Sequence, residues 1–281
     1  MPNDEQNSLS YEFFPPKTEK GVENLKNTRT VLASYNPEFY SVTFGAGGTT
    51  QATTIGAVTD IQQQSTIDAS PHISCIGSTK ESISTLLKQY QQQGINRLVA
   101  LRGDLLDGMT SPGEFQHASD LVEFIRQQTG DHFTIAVAAY PEMHPESANT
   151  LDDFHHFKSK VDAGADFAIT QYFFNSDSYF RFLDLCNNAQ LKQTIVPGIM
   201  PISNFASLCR FSDSCGAEIP RWIRKSMDAY EPGSVEQKQL GHEIVLKLLD
   251  RLSSNGVKDF HFYTMNQHAL ITRLIDDAYL L

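Results

Sequence analysis

The sequence predicts one α/β domain, a (β/α)8 barrel of the TIM type with an extra helix before its last strand. Short apolar or β-branched segments alternate with longer segments of helical period, which is typical of parallel strands joined by right-handed helical crossovers. Eight strand segments can be counted, the number that closes such a barrel, whereas a doubly wound sheet is the other α/β architecture. No linker and no composition shift divides the 281 residues, so we expect residues 1–281 to form a single domain.

The predicted strands lie, in chain order, at residues 9–14, 39–44, 72–76, 97–101, 134–140, 167–173, 194–199 and 259–264. Helical periodicity between them is clearest at residues 79–93 and 114–128. Four glycines fall directly after helical segments, where glycine commonly ends a helix: Gly94, Gly130, Gly164 and Gly256. The long segment 212–252 holds more than one helix, and we place the extra helix at 219–227.

Composition and charge exclude several classes of function. The chain has 22 Lys and Arg against 33 Asp and Glu, a net charge of −11 with no basic cluster, which argues against a nucleic-acid partner. The polar N-terminal segment is unlike a signal peptide, and no apolar run reaches the ~18 residues of a membrane span. The four cysteines form no CxxC pair, so we expect neither a metal site nor a disulfide framework. These features predict a cytoplasmic protein with small-molecule ligands.

Polar side chains stand at or just after the predicted C-terminal ends of most strands. They are Glu12, Thr43, His72, Arg102, Asp104, Tyr140, Glu142, His144, Gln171, Tyr263 and Asn266. In a barrel, these strand ends meet at one rim, and active sites lie there. One polar strand end means little, but so many at one rim predict a ligand site.

Glu12 is the candidate general acid. Its neighbours along the chain are aromatic residues and prolines, so we expect a poorly hydrated carboxyl with a raised pKa that suits proton donation. The alternative is a structural carboxylate paired with Lys17 or Arg102.

Two loops could contact a ligand. The glycine-rich segment 45–50 matches neither the GxGxxG nor the GxxxxGK[ST] pattern, so it is either a ligand-binding loop or an ordinary turn. Arg102 suits a phosphate or carboxylate, and Asp104 suits a ring with N–H donors such as a pterin or a purine. Gly103 between them permits a close backbone approach, and a salt bridge between the two charged residues is the alternative.

Two further features concern histidines and lysine. His144 lies in a loop held by prolines, which favours a functional role over a packing role. Asp153, His156 and Lys160 share one face of the helix predicted at 151–163, although a face of mixed charge is more often simply solvated. The histidines form no metal-ligand set.

Nine motifs in order along the chain resemble the methylenetetrahydrofolate reductase family in its short bacterial form. They are EFFPPK (12–17), SVTFG (41–45), PHISC (71–75), ALRGD (100–104), VAAYPE (137–142), KVDAGAD (160–166), ITQYFF (169–174), VPGIMPI (196–202) and HFYTMN (261–266). The resemblance implies reduction of 5,10-methylenetetrahydrofolate to 5-methyltetrahydrofolate. It further implies ping-pong hydride transfer from NADH or NADPH through FAD, a role in one-carbon metabolism and methionine synthesis, and a homo-oligomer.

The resemblance also assigns residues to ligands. It places FAD against Phe44, Ala46, His72, Arg102, Gly103, Asp104, Ala118, Tyr140, His144, Asp153, His156 and Lys160. It assigns the folate and nicotinamide to Thr43, Asp104, Gln171, Phe211 and Gln267, with Asp104 and Gln171 on the pterin, Thr43 on the nicotinamide and Phe211 over the ring stacked on the flavin.

Four positions depart from the family pattern. His156 and Ser159 stand where Asn and Arg often contact FAD, Ser207 replaces a glutamine, and Gln267 replaces an arginine, which weakens the expected grip on folate.

The implied chemistry agrees with the residues. Glu12 would protonate N10 to open the imidazolidine ring, and Asp104 near the flavin would favour hydride donation. A flavin-free, pterin-binding barrel methyltransferase and a non-catalytic binding protein are the alternatives.

Overall fold

The computed structural model describes residues 7–44, 48–104 and 111–281, with the backbone alone for residues 48–51. Nine strands are present in this part of the chain: β1 (Ser8–Phe13), β2 (Phe39–Val42), β3 (Asp68–Ser74), β4 (Arg97–Leu101), β5 (Thr134–Ala139), β6 (Phe167–Thr170), β7 (Thr194–Val196), β8 (Gly198–Ile199) and β9 (Asp259–Tyr263). The helices there are α1 (Glu19–Ala33), α2 (Gly48–Gln64), α3 (Lys80–Gln92), α4 (Ala118–Thr129), α5 (Thr150–Asp162), α6 (Ser176–Asn188), α7 (Phe205–Cys215), α8 (Arg221–Met227), α9 (Val235–Ser254) and α10 (Ala269–Asp277).

The strands form one parallel barrel. Their order is β7-β6-β5-β4-β3-β2-β1-β9-β8, and every pair in it is parallel. The two ends of this order, β7 and β8, are consecutive in the chain and separated only by Pro197. The predicted (β/α)8 barrel is therefore confirmed, with α8 as the extra helix before the last strand.

The ninth strand arises because the segment predicted as one strand at 194–199 is broken at Pro197. Proline has no N–H to give to a neighbouring strand, although its carbonyl oxygen still accepts a hydrogen bond from the N–H of His261 at 3.1 Å. Beside it, Gly198 passes so close to β6 that a Cβ atom would lie 2.2 Å from the carbonyl oxygen of Thr170. The strand therefore pairs with β6 through its first half and with β9 through its second half.

Several other predicted bounds differ from the structure, and three of them differ by three residues or more. The strand predicted at 167–173 ends at Thr170. The strand predicted at 72–76 begins at Asp68 and ends at Ser74. The helix predicted at 114–128 begins only at Ala118, because the carboxylate of Asp120 accepts the N–H groups of Gln116 and His117 and so caps the helix there.

The core has two parts. Most buried apolar side chains lie between the strands and the surrounding helices, as Tyr11, Tyr40 and Phe262 do. A small inner cluster fills the barrel itself, from Phe39, Val99, Ala136, Ile169 and Val196. This plug separates the two mouths of the barrel and leaves the carboxyl ends of the strands around an open cavity. None of the helices in the described ranges is long and apolar enough to cross a lipid bilayer.

Candidate active site

Two connected cavities lie at the carboxyl ends of the strands. The first, which we call the mouth cavity, covers the barrel opening and has a volume of about 670 Å³. The second, the side cavity, lies between the ends of β4 and β5 and helices α4 and α5, with a volume of about 660 Å³. Both volumes are typical of ligand sites, which span ~300–1,000 Å³. The residues that line both cavities are Leu101, Asp104, Ala138, Tyr140, His144 and Glu146.

The structure gathers nearly all of the predicted site residues around these cavities. Glu12, Thr43, Phe44, His72, Gln171 and Phe211 line the mouth cavity. Arg102, Gly103, Ala118, Asp153, His156 and Lys160 line the side cavity, and Asp104, Tyr140 and His144 line both. Gln267 is exposed after β9 and lines neither cavity. Ala46 and the whole glycine-rich segment 45–50 lie outside the residues whose side chains are described.

Glu12 projects into the barrel opening from the end of β1. Its side chain is 12% exposed, and its Oε2 atom lies 3.4 Å from Nε2 of His72 and 3.9 Å from Nε2 of His261. His261 is fully buried, and its Nδ1 atom shares a hydrogen bond of 2.7 Å with the Ser10 hydroxyl. Glu12 therefore pairs with neither Lys17 nor Arg102, the partners of the structural alternative.

The surroundings of Glu12 differ from the sequence expectation. Tyr11 and Phe13 flank it along the chain, but strand geometry turns their rings to the opposite face, where both contact Tyr40 in the outer core. The side chain of Glu12 is shielded instead by histidines that come from β3 and β9. The adjacent rings of Tyr11 and Phe13 therefore do not shield the carboxyl, because they lie on the other side of the sheet, whereas Phe14 lines the mouth cavity together with Glu12.

His72 supplies an uncharged polar atom to the mouth cavity. Burial lowers the pKa of its imidazole, more than the adjacent Glu12 raises it, so the ring is neutral near pH 7. Its Nε2 atom is buried and lacks a hydrogen-bond partner in the described structure. An unsatisfied polar atom at a cavity wall suits a polar ligand atom.

The loop after β4 is fixed by packing as well as by charge. Arg102 forms an ion pair of 2.6 Å with Glu146 rather than with Asp104, so the proposed salt bridge within this loop is wrong. Gly103 has φ +85°, and a Cβ atom there would lie 2.0 Å from the hydroxyl oxygen of Ser74. The glycine is therefore required by its contact with the end of β3, whatever ligand approaches it.

The side cavity holds an enclosed lysine. Lys160 donates a hydrogen bond of 2.6 Å from Nζ to the carbonyl oxygen of Ala138, and burial lowers the pKa of its ammonium to about 8 although Asp153 opposes the change. Asp153 accepts a hydrogen bond of 2.9 Å from the Ser147 hydroxyl. The predicted helix face at Asp153, His156 and Lys160 thus lies along a cavity rather than in bulk solvent.

Tyr140 and His144 form the corner between the cavities. Their rings meet edge to face at 4.6 Å, and the N–H of Glu146 donates to Nδ1 of His144 at 3.1 Å. Burial lowers the pKa of His144, and burial followed by Asp104 and Asp153 raises the pKa of Tyr140 to about 12. Both side chains are therefore uncharged at neutral pH and form a neutral wall.

The far wall of the mouth cavity comes from β6 and α7. The side-chain oxygen of Gln171 accepts the N–H of Tyr172 at 3.0 Å, which fixes the amide at the rim. Phe211 stacks on Tyr172 at 6.0 Å between ring centres and remains 44% exposed. An exposed aromatic ring above a cavity is suited to cover a flat ligand.

At two of the four positions that depart from the family pattern, the side chain forms a local hydrogen bond. The hydroxyl of Ser159 donates to the carbonyl oxygen of His155 within α5, and the hydroxyl of Ser207 accepts from Arg210 within α7. Both serines are exposed and line neither cavity.

Several residues at the cavities escaped sequence reasoning. They are His117, Glu146, Met200, Ser214 and Cys215. Glu146 belongs to the same proline-held loop as His144, and its place in that loop was the available signal. Ser214 and Cys215 lie on α7, His117 directly precedes α4 and Met200 directly follows β8, and no pattern of chemistry singled them out. Among the rim residues, Asn266 has a structural role, because its side chain exchanges two hydrogen bonds with the backbone of Phe14.

These features define a class of protein: a parallel α/β barrel with an extended ligand site at its carboxyl rim. The chain belongs to the methylenetetrahydrofolate reductase family, whose model, described as "Methylenetetrahydrofolate reductase", matches residues 1–278. Members of this family reduce methylenetetrahydrofolate to methyltetrahydrofolate.

Relatives from bacteria and plants agree with this assignment. The 5,10-methylenetetrahydrofolate reductase of Escherichia coli (strain K12) is 40% identical over 262 residues, which cover 93% of this chain and 87% of the relative. The "Methylenetetrahydrofolate reductase (NADH) 1" of Zea mays is 35% identical over 276 residues, covering 94% of this chain and 46% of the plant protein.

Solved structures share the fold. A protein from Clostridium thermocellum described as binding two copies of 5-methyl-5,6,7,8-tetrahydrofolic acid superposes with a TM-score of 0.67 at 16% identity, covering 98% of this chain and 96% of that one. A dihydropteroate synthase from Coxiella burnetii gives a TM-score of 0.54 at 7% identity, covering 98% and 92%. At these identities the likeness concerns the fold alone.

Proposed function

We propose that this chain is an FAD-dependent reductase that takes hydride from NADH or NADPH and reduces methylenetetrahydrofolate in a separate half-reaction. The observation that carries the proposal is the connection of two unlike cavities. One contains the cations Arg102 and Lys160, and it opens at Asp104 into the other, which holds Glu12. A long dinucleotide with an anionic centre and a ring at one end suits this arrangement.

The residues of the side cavity fit the anionic part of FAD. Lys160 is enclosed, and among the described residues its hydrogen-bond partner is a carbonyl oxygen rather than a carboxylate. A buried ammonium with a lowered pKa is incompletely compensated, so a pyrophosphate is the kind of group that would complete the site. Arg102 provides a second cation, and Ala118 at the first turn of α4 leaves room because it is small.

FAD, when bound, would supply a carrier that accepts hydride from the nicotinamide and later returns it. The residues of this chain orient the partners of that exchange. Asp104 lies where the cavities join, and a carboxylate there disfavours accumulation of negative charge on a neighbouring reduced ring. Gln171 and Asp104 present hydrogen-bonding groups of the kind that a pterin uses.

Glu12 is the proposed proton donor. Opening the imidazolidine ring of methylenetetrahydrofolate requires a proton on N10, and the carboxyl of Glu12 reaches the mouth cavity from the barrel interior. The ring of His72, which is neutral near pH 7, lies 3.4 Å from the Glu12 carboxyl. Thr43 would contact the nicotinamide. Phe211 would cover whichever ring, nicotinamide or folate, stacks on the flavin.

The absorbance spectrum of the purified protein tests the cofactor, and anaerobic stopped-flow tests the reaction. A yellow protein that NADH or NADPH bleaches and that methylenetetrahydrofolate reoxidises supports the proposal. A colourless protein that transfers a methyl group from a pterin would instead identify the flavin-free alternative. Rates with the two nicotinamide donors decide between NADH and NADPH.

The resemblance supports three wider parts of the proposal. The product would supply methyl groups for methionine synthesis, the protein would act in the cytoplasm, and it would form a homo-oligomer. Light scattering on the purified protein tests the last of these directly.

A further inference from the structure

Two segments that form facing walls of the mouth cavity also contact each other outside the cavity. The loop between β5 and α5 contributes Tyr140, His144 and Pro145, and α7 contributes Phe211, Ser214 and Cys215. The position of α7 relative to the loop therefore sets the width of the cavity. Contacts between these two segments matter for any ligand that the mouth cavity holds.

Glu142 makes the polar contact between the two walls. Its Oε2 atom accepts a hydrogen bond of 2.7 Å from the N–H of Glu218, just beyond the end of α7. A close packing contact lies beside it, since α7 ends at Gly216 with φ +75° and a Cβ atom there would lie 2.4 Å from Cγ of Pro145. Glu142 itself lines neither cavity.

The other carboxyl oxygen of Glu142 has an unusual environment. Its Oε1 atom is buried and makes no hydrogen bond in the described structure. The titratable groups near the carboxyl are the side chains of Glu218, Arg181 on α6 and Tyr172 after β6. Burial raises the pKa of Glu142 to about 7; the carboxylate of Glu218 adds to this, while the hydrogen bond from the Glu218 N–H and the charge of Arg181 oppose it.

We propose that Glu142 is a positioning residue that holds the α7 wall of the mouth cavity against the β5–α5 loop through the backbone of Glu218. The proposal rests on the function proposed above, because the wall affects turnover only if folate binds in the mouth cavity. Glu142 lines neither cavity, so it acts through the width of the site.

The stability of the contact between Glu142 and the backbone of Glu218 depends on pH. When the wall moves away, the Glu142 carboxyl regains water and its pKa returns towards the ordinary value, so the closed wall binds the proton more tightly than the open wall. The advantage of the closed wall is therefore greatest at low pH, and it declines as the pH rises from 4.5 through about 7. Glutamine at this position imitates the neutral acid and keeps an oxygen that can accept the Glu218 N–H.

The first test follows the wall directly. Trp222, the only tryptophan of the chain, lies in α8 a short distance after Glu218. We expect its emission to change with a midpoint near pH 7 in the wild-type protein and in the control E243Q, and to lose that transition in E142Q. Glu243 is exposed on α9, so E243Q makes the same change of charge elsewhere. A transition in E142Q equal to that of the wild type overturns the proposal.

The second test separates positioning from chemistry. E142A removes the acceptor, so we expect the KM for methylenetetrahydrofolate to rise at least ~threefold at pH 7 while kcat stays within ~twofold. Between pH 6 and 8.5 the KM should rise in the wild type and stay low in E142Q. An unchanged KM in E142A overturns the proposal. A wild-type protein without folate reduction refutes the proposed function instead, and the emission of Trp222 still decides the role of Glu142.

Discussion

The two mouths of the barrel are both polar, and they differ in how their polar groups are satisfied. The amino-terminal mouth has a cavity of about 250 Å³, in which Arg97 pairs with Glu38 at 2.7 Å and Ser8 donates to the same carboxylate at 3.0 Å. At the carboxyl mouth, Glu12 and His72 lie 3.4 Å apart, and Nε2 of His72 has no hydrogen-bond partner in the described structure. Polar residues that satisfy one another stabilise the fold, whereas those left open to a cavity are available to a ligand.

The largest effect on a reaction rate is expected when a glutamate is replaced by glutamine at the carboxyl mouth, and the same replacement at the amino-terminal mouth is the comparison. In E12Q, reduction of the protein by the nicotinamide donor should stay within ~tenfold of the wild type, because the proposed role of Glu12 belongs to the folate half-reaction. Reoxidation by methylenetetrahydrofolate should fall at least ~10²-fold, the usual effect of losing a general acid. Anaerobic stopped-flow measures both rates.

The matched control is E38Q at the amino-terminal mouth, which we expect to change neither rate by more than ~twofold. If folate reoxidises E12Q as fast as the wild type, Glu12 is structural and the proton has another source.

The next largest effect is expected at Lys160, which lies on the face of α5 that lines the side cavity. K160M should weaken flavin binding at least ~tenfold, because a charged hydrogen-bond donor to the ligand is lost. In the wild type, binding should also weaken as the pH rises through about 8, where the ammonium loses its proton, and this dependence should be absent from K160M.

K158M is the control for this variant. Lys158 lies on the same helix but pairs with Asp162 at 2.6 Å on the exposed side. Flavin dissociation constants, measured by fluorescence at several pH values, decide the outcome. Equal weakening in K158M and K160M would mean that the helix, rather than the cavity-facing cation, is responsible.

A smaller effect tests whether the side cavity depends on packing behind α5. Ala165 is 3% exposed in the turn after α5, where Arg126 also binds the carbonyl oxygen of Gly164 at 2.8 Å. A165V adds two methyl groups to this packed turn and should displace the helix that carries Asp153 and Lys160.

We expect A165V to release flavin several-fold faster on dilution, with near-normal activity when flavin is saturating. The control variant A189V carries the same alanine-to-valine change at the end of α6, and it should leave the rate of flavin release unchanged. Release from A165V at the wild-type rate would show that the turn does not support the cofactor site.

The smallest effect on turnover is expected at the amino-terminal mouth. Arg97 packs over the ring of Phe39 at 5.3 Å as well as pairing with Glu38. R97M should lower the free energy of unfolding by ~1–2 kcal/mol, measured by urea denaturation, while activity stays within ~twofold. A large loss of activity in a folded R97M protein would erase the distinction between the two mouths.

The fold was predictable because it depends on local patterns. Alternating apolar segments gave the barrel, and the helix face at Asp153 and Lys160 follows from spacing alone. The break at Pro197 was not predicted, because a continuous apolar run conceals that its two halves pair with different strands. The start of α4 depended on a side-chain cap at Asp120 that periodicity does not show.

The candidate site was predictable in membership but not in its interactions. The residues at strand ends converge as the barrel requires, yet the partners of each came from distant segments. Arg102 pairs with Glu146 instead of Asp104, and the side chain of Glu12 lies beside His72 and His261 instead of the adjacent Tyr11 and Phe13. Such partners depend on which strands become adjacent in the fold. The order of residues along the chain does not show this.

Closure of the barrel between its first and last strands has a consequence for folding. The hydroxyl of Thr264 donates to the carbonyl oxygen of Glu12 across 252 positions of the chain, and β1 pairs with β9 along its length. Contacts so distant in sequence form only after a large loss of chain entropy, so they are expected late. His261 beside Glu12 arrives with that same strand. We therefore expect the surroundings of Glu12 to be completed late in folding, so that recovery of activity during refolding reports barrel closure rather than helix formation.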